Sequence, residues 1–151
     1  MGTYRGPVVD HTPTTEPPTP MRVAISGSRH LKDKEWLWAK LDALLTHRLA
    51  TLTILHGGAE GVDRYADEWA RAKGVPVEMF PADWKQFGKA AGPKRNAEMI
   101  ATADGLLAFS SGGPGTSNAV ICARVRGIRL RVFRFDLTAD GIVSCFSEMQ
   151  E

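Results

Sequence analysis

The sequence has little of what would mark several common protein classes. Its two cysteines, Cys122 and Cys145, have no motif spacing. They predict reduced thiols in a cytoplasmic protein, not a disulfide framework. The four histidines (His11, His30, His47 and His56) are scattered, and none pairs with a cysteine at ligand spacing. No metal site is therefore expected, and no motif asks for a cofactor. The longest unbroken apolar runs are about five residues, against the roughly 20 that span a bilayer, so no membrane segment is expected. No apolar core follows Arg5, so the opening does not resemble a signal peptide. A formal charge of +2 is too small to imply nucleic acid by itself.

What is present fits a soluble globular chain, with 43% hydrophobic and 24% charged residues. At 151 residues it is read as one domain, able to bury about two-thirds of its unfolded surface. Residues 1–20 are rich in Pro and Thr and lack hydrophobic periodicity, which predicts a disordered tail; residues 21–151 are the folded unit. From Met21 the chain alternates. "RVAIS", "LTILHGG", "VPVEMF", "GLLAFSS" and "LRVFRF" read as strands. Between them lie amphipathic stretches, the first carrying Leu37, Leu41, Leu44 and Leu45 at helical spacing behind a capping Asp33. Gly74 and Gly127 are expected to stop two helices, Pro93 to sit in the first turn of another, and Thr116 to cap the last. The stretch after residue 135 allows an edge hairpin or one further strand. This alternation predicts an α/β fold of three layers, with a mostly parallel sheet of five or more strands.

In such sheets ligands bind beyond the carboxyl ends of the strands, where strand order reverses. The polar loops "SGSRH", "HGGAEGVD", "FPADW" and "SSGGPGT" all follow strands, so the fold gathers them at one sheet edge. Gly112, Gly113 and Gly115 bare the backbone just before a helix, an arrangement suited to phosphate as well as to a tight turn. Gly57, Gly58 and Gly61 repeat the device after the second strand. Asp63 there either offsets the positive end of its helix or accepts a hydrogen bond from a ribose hydroxyl. Gly27 and Ser28 belong to the first loop, with Arg29 read as a phosphate ligand or a solvated charge. The glycine pattern is neither a Walker loop nor the dinucleotide G-x-G-x-x-G.

Together "GSR", "LHGGAEGVDRYADEWA", "FPADWKQFGKAAGPKRNAEM" and "FSSGGPGT" resemble the YspA-like branch of the SLOG superfamily, which includes Lonely Guy phosphoribohydrolases and the DNA-processing protein A family. The resemblance spans roughly residues 22–135. It implies a Rossmann-like fold, a nucleotide or nucleotide-derived ligand such as an ADP-ribose relative, and a homodimer. Arg95, in "PKRNAEM", stands at the position of a Lonely Guy arginine. The chain departs from the Lonely Guy P-G-G-x-G-T-x-x-E pattern: Ser111 replaces the proline, and Ala119 stands where that enzyme's glutamate would be.

Bond cleavage would then need another carboxylate. Asp63, Asp83 and Glu98 are on the expected rim, although Glu98 reads more simply as an ion-pair partner of Arg95 one turn away. His56 is either a general base or a satisfied structural histidine. Trp84 reads as core packing more readily than as a surface for a base. The arginines at 124, 126, 129, 131 and 134 read as protection of an edge strand more readily than as a nucleic-acid surface. Three function classes are weighed: a sensor or sequestering protein for a phosphorylated nucleotide derivative, an N-glycosidic hydrolase, and, with least support, a single-stranded DNA binder.

Overall fold

The computed structural model describes residues 19–149. Most of the expected tail, residues 1–18, lies outside them, as do residues 150–151. The strands are β1 (Met21–Gly27), β2 (Leu52–His56), β3 (Val77–Met79), β4 (Gly105–Ser110), β5 (Arg129–Leu137) and β6 (Val143–Met149). The helices are α1 (Lys34–Leu45), α2 (Val62–Ala72), α3 (Trp84–Phe87), α4 (Ala91–Ala101) and α5 (Pro114–Arg126). The sheet has the order β3-β2-β1-β4-β5-β6, parallel except for β6, which pairs antiparallel with β5. Every expected strand is present, and β6 settles the reading of the stretch after residue 135.

Side chains along a strand point alternately to opposite faces, and here that alternation builds two cores. Val23, Ile25, Ile54 and Phe109 join Leu37, Leu41 and Leu45 of α1 and Val62, Ala66 and Trp69 of α2 on one face. Ala24, Leu55, Leu106 and Ala108 join Met99 and Ile100 of α4 and Ala119 and Ala123 of α5 on the other. The result is a Rossmann-like three-layer arrangement. Leu41 has no exposed surface, and truncating such a side chain to alanine costs about 2–5 kcal/mol.

Asp33 caps α1 by accepting the Trp36 N–H at 3.2 Å. Its second oxygen accepts the Val143 N–H at 3.1 Å, so one carboxylate holds the start of α1 and the start of β6. Alongside, the Lys32 N–H donates to the Gly141 carbonyl at 2.8 Å, bracing the β1–α1 loop from the turn between β5 and β6. Because β6 covers β5, the arginines of β5 do not guard an edge. Arg131 instead forms a two-point ion pair with Glu148 of β6. Among the described residues, no helix is long and apolar enough to cross a membrane.

Candidate functional site

Strand order reverses between β1 and β4, and a cleft of about 780 Å³ opens beyond their carboxyl ends. Its walls come from the loop after β1, the start of α2, the α3–α4 segment and the loop entering α5. Gly27, Ser28, Arg29, Asp63, Arg95, Gly112, Gly113, Gly115 and Thr116 all line it. Gly57, Gly58 and Glu98 do not.

The first loop is fixed by backbone. The Ser28 N–H donates to the Phe109 carbonyl at 2.9 Å, and the Ser28 carbonyl accepts the Val62 N–H at 3.0 Å. The Ser28 hydroxyl oxygen accepts from the His30 N–H and, at 2.7 Å, from the Ser111 hydroxyl. Ser28 therefore ties the first and last loops together. Gly61, at φ +75°, presses so closely on the Ser28 carbonyl and the Arg29 backbone that a Cβ would overlap both.

The second loop already holds an anion, and that anion is its own. Asp63 Oδ2 accepts the Gly57 N–H at 3.1 Å and the Ala59 N–H at 3.2 Å. The intervening Gly58 N–H donates to His56 Nδ1 at 2.9 Å. Three successive N–H groups are thus occupied from within and are not offered to a ligand. Since Nδ1 accepts, the proton belongs on Nε2, which donates to Asp67 at 2.7 Å. His56 is a satisfied structural histidine. Asp63 is buried, and burial pushes its carboxyl above the usual range against the pull of the Ala59 N–H, His56, Arg95 and the Gly57 N–H.

Arg95 belongs to α4 but reaches across to the second loop. One terminal nitrogen donates to the Gly57 carbonyl at 2.7 Å and its Nε to Asn96 Oδ1 at 2.9 Å. Burial lowers its pKa, Asp63 draws it back up, and Arg29 lowers it further. Two cations thus repel one another at the cleft, a situation a bound anion relieves. A Cβ on Gly57 would run into the Arg95 guanidinium, so that glycine serves the arginine's approach. Glu98 does not pair with Arg95. It is exposed, and it lies 3.5 Å from Lys94. Asp83 caps α3 by accepting the Gln86 N–H at 3.0 Å.

The third loop is open. Gly112, at φ +107°, turns the chain while its N–H donates to the Ser110 hydroxyl oxygen at 3.0 Å. Helix α5 begins at Pro114, whose ring pre-sets the helical φ, with Gly113 as N-cap. Thr116 is therefore a buried residue of the first turn and not the cap. The helix's first internal bond runs from the Ser117 N–H to the Gly113 carbonyl, so the N–H groups of Gly115 and Thr116 point out of its end. Asn96 steadies this end, its Nδ2 donating to the Gly115 carbonyl at 3.2 Å and to Asn118 Oδ1 at 3.0 Å.

Sequence reasoning passed over Lys89, Gly92 and Asn118, which also line the cleft. The signal for Lys89 and Gly92 was the segment that runs from β3 into the first turn of α4, which the fold returns to the same edge. Trp84, expected to pack inward, is 54% exposed on the rim. Among the described residues, no group of three or more His, Cys, Asp or Glu side chains could hold a metal ion.

The sequence profile of the YspA, cpYpsA-related SLOG family matches residues 21–87. Gene 61 protein of Mycobacterium phage D29 is 43% identical over 114 residues, covering 71% of this chain and 91% of that one. The chain belongs to the YspA, cpYpsA-related SLOG family. Solved structures agree on the fold of this SLOG protein. DNA processing protein A from Helicobacter pylori, described for its single-stranded DNA binding mode, superposes with a TM-score of 0.58 at 21% identity. The match takes in 74% of this chain and 64% of that one, so the SLOG chain spans less than two-thirds of the Helicobacter protein. The X-ray structure of TM1055 gives 0.56 at 17% identity, over 73% of this chain and 72% of that one.

Proposed function

We propose that the cleft binds a phosphorylated nucleotide or nucleotide-derived ligand of the ADP-ribose kind, and that the protein senses or sequesters it. Its phosphate is received at the start of α5 by the N–H groups of Gly115 and Thr116, with Gly112 shaping the loop. Arg29 and Arg95 balance its charge, while Gly27 and Ser28 form the floor and Asp63 faces the sugar. One observation carries this reading. At Gly113 and Gly115 the backbone φ is not in the left-handed region, and an added Cβ would meet nothing within 4 Å. The fold therefore does not need glycine at either position, whereas an anion approaching bare backbone does.

Calorimetric titration with AMP, ADP-ribose and NAD, followed by chromatography of each mixture, tests this. Binding with the ligand recovered intact supports the sensor; no binding by any of them removes it.

The second reading is N-glycosidic hydrolysis, favoured by one feature, the buried Asp63 carboxyl at the cleft with its raised pKa. It is the carboxylate that remains at the cleft when Ala119 fills the Lonely Guy glutamate position. Release of free base in the same titration, lost in Asp63→Asn, would establish it. Single-stranded DNA is the third reading, prompted by the fold shared with the Helicobacter protein. Against it, Arg22 and Arg131 are paired with Glu78 and Glu148. DNA binding predicts affinity that falls steeply with salt. The proposal also takes residues 21–151 as the binding unit behind the tail, in the cytoplasm, as a homodimer. The exposed Ile121 and Val125, one turn apart on α5, offer such a dimer an apolar face, and sedimentation equilibrium tests it.

A further inference from the structure

The chain has four tryptophans, and three are fully engaged. Trp69 is buried, and its indole N–H donates to Asp42 Oδ1 at 2.9 Å. Trp38 donates to the Tyr65 carbonyl at 3.0 Å and lies under the Lys34 ammonium. Trp36 makes edge contacts with Phe109, Phe135 and Phe146. Trp84 is the exception. It is 54% exposed, and among the described residues no ring, cation or hydrogen-bond acceptor engages its indole.

Its position is nonetheless built. Asp83 fixes the backbone at the start of α3, and the indole edge rests on the bare Cα of Gly92 in α4. A Cβ at Gly92 would come within 3.1 Å of the indole Cη2, tighter than side chains normally allow. Gly92 stands in the first turn of α4, where the absence of a Cβ leaves room for the indole. The same indole lines the cleft that reaches the start of α5. An aromatic surface seated by one edge, half exposed and with no ring or cation on it, is what a purine or pyrimidine stacks on.

We propose that Trp84 is the platform for the ligand's aromatic base, so that the cleft selects nucleotides over bare sugar phosphates. The proposal rests on the phosphate reading above, and it makes Trp84 a specificity-determining residue.

The test compares AMP with ribose 5-phosphate by calorimetry on the full chain, in the parent, Trp84→Ala and Trp84→Phe. Stacking predicts that Trp84→Ala weakens AMP by about 5- to 150-fold while leaving ribose 5-phosphate unchanged. Trp84→Phe keeps most of the AMP affinity, and AMP quenches indole emission in the parent more than in Trp84→Phe. Gly92→Ala, which pushes the indole aside without removing it, weakens AMP selectively as well. If the parent binds both ligands and Trp84→Ala changes neither, or changes both equally, the platform is refuted while the phosphate reading stands. If the parent binds neither, the phosphate reading fails and the platform with it.

Discussion

Replacing Gly113 with aspartate sets stability and binding against each other. Gly113 is the N-cap of α5, at φ −76° and ψ 152°, a conformation open to any residue. An added Cβ has nothing within 4 Å to displace. Aspartate is among the best N-cap residues, and its charge complements the positive helix end, so stability changes by between zero and about +1 kcal/mol. The gain arises because the carboxylate accepts hydrogen bonds from the N–H groups of Gly115 or Thr116, the same groups assigned to the phosphate. A hydrogen bond to a charged group is worth about 1.5–3 kcal/mol. Losing one therefore weakens binding by about tenfold or more, before any repulsion between the two anions is counted. Gly113→Ala supplies the Cβ without the charge and should weaken binding less. Thermal melts and calorimetry with AMP read both effects in one set of samples. A G113D protein that melts no lower than the parent and binds AMP with the parent's affinity would refute the assignment of the α5 end to phosphate.

Gly57→Ala drives a methyl group into the Arg95 guanidinium and should cost about 1–3 kcal/mol, seen as a lower melting temperature. Little change would mean that Arg95 does not need its seat on the second loop. Asn96→Ala removes the partner of Arg95 Nε and the donor to the Gly115 carbonyl, for a loss of about 1–3 kcal/mol in urea unfolding. The raised carboxyl of Asp63 favours folding below its unfolded pKa, and that contribution is lost as pH rises through the folded value. Asp63→Asn removes this loss, so the variant's stability relative to the parent should grow as pH rises from the acid range and then level off. A relative gain on acidification would reverse the assigned direction.

Much of this architecture is legible in local pattern. The spacing of Leu37, Leu41 and Leu45 foretells α1 because helical burial repeats at that interval, and Asp33 marks its start. The strand runs are short and apolar because both of their faces are covered. Legibility ends where a partner is distant in sequence. The loops at residues 57–61 and 112–115 carry the same glycine signal, yet the first closes on Asp63 and the second stays open. Arg95 reads like a partner for Glu98 one turn away, but its guanidinium goes to Gly57, 38 residues distant. The arginines near residue 130 looked like edge protection because β6 lacks the clean alternation that would have revealed its cover. Thr116 drew attention as a cap, although Pro114 was the stronger start signal and set the helix earlier.

The double duty of Asp33 bears on the order in which a newborn chain acquires its cleft. The loop that presents Ser28 and Arg29 leaves the ribosome well before β6, because the residue that takes Asp33's second oxygen follows 110 positions later. At about 5–20 residues per second, that interval is on the order of ten seconds. During it α1 can be capped while the β1–α1 loop lacks its outer brace. Loss of β6 from the finished protein would restore that condition, disturbing Arg29's loop without touching any residue that lines the cleft.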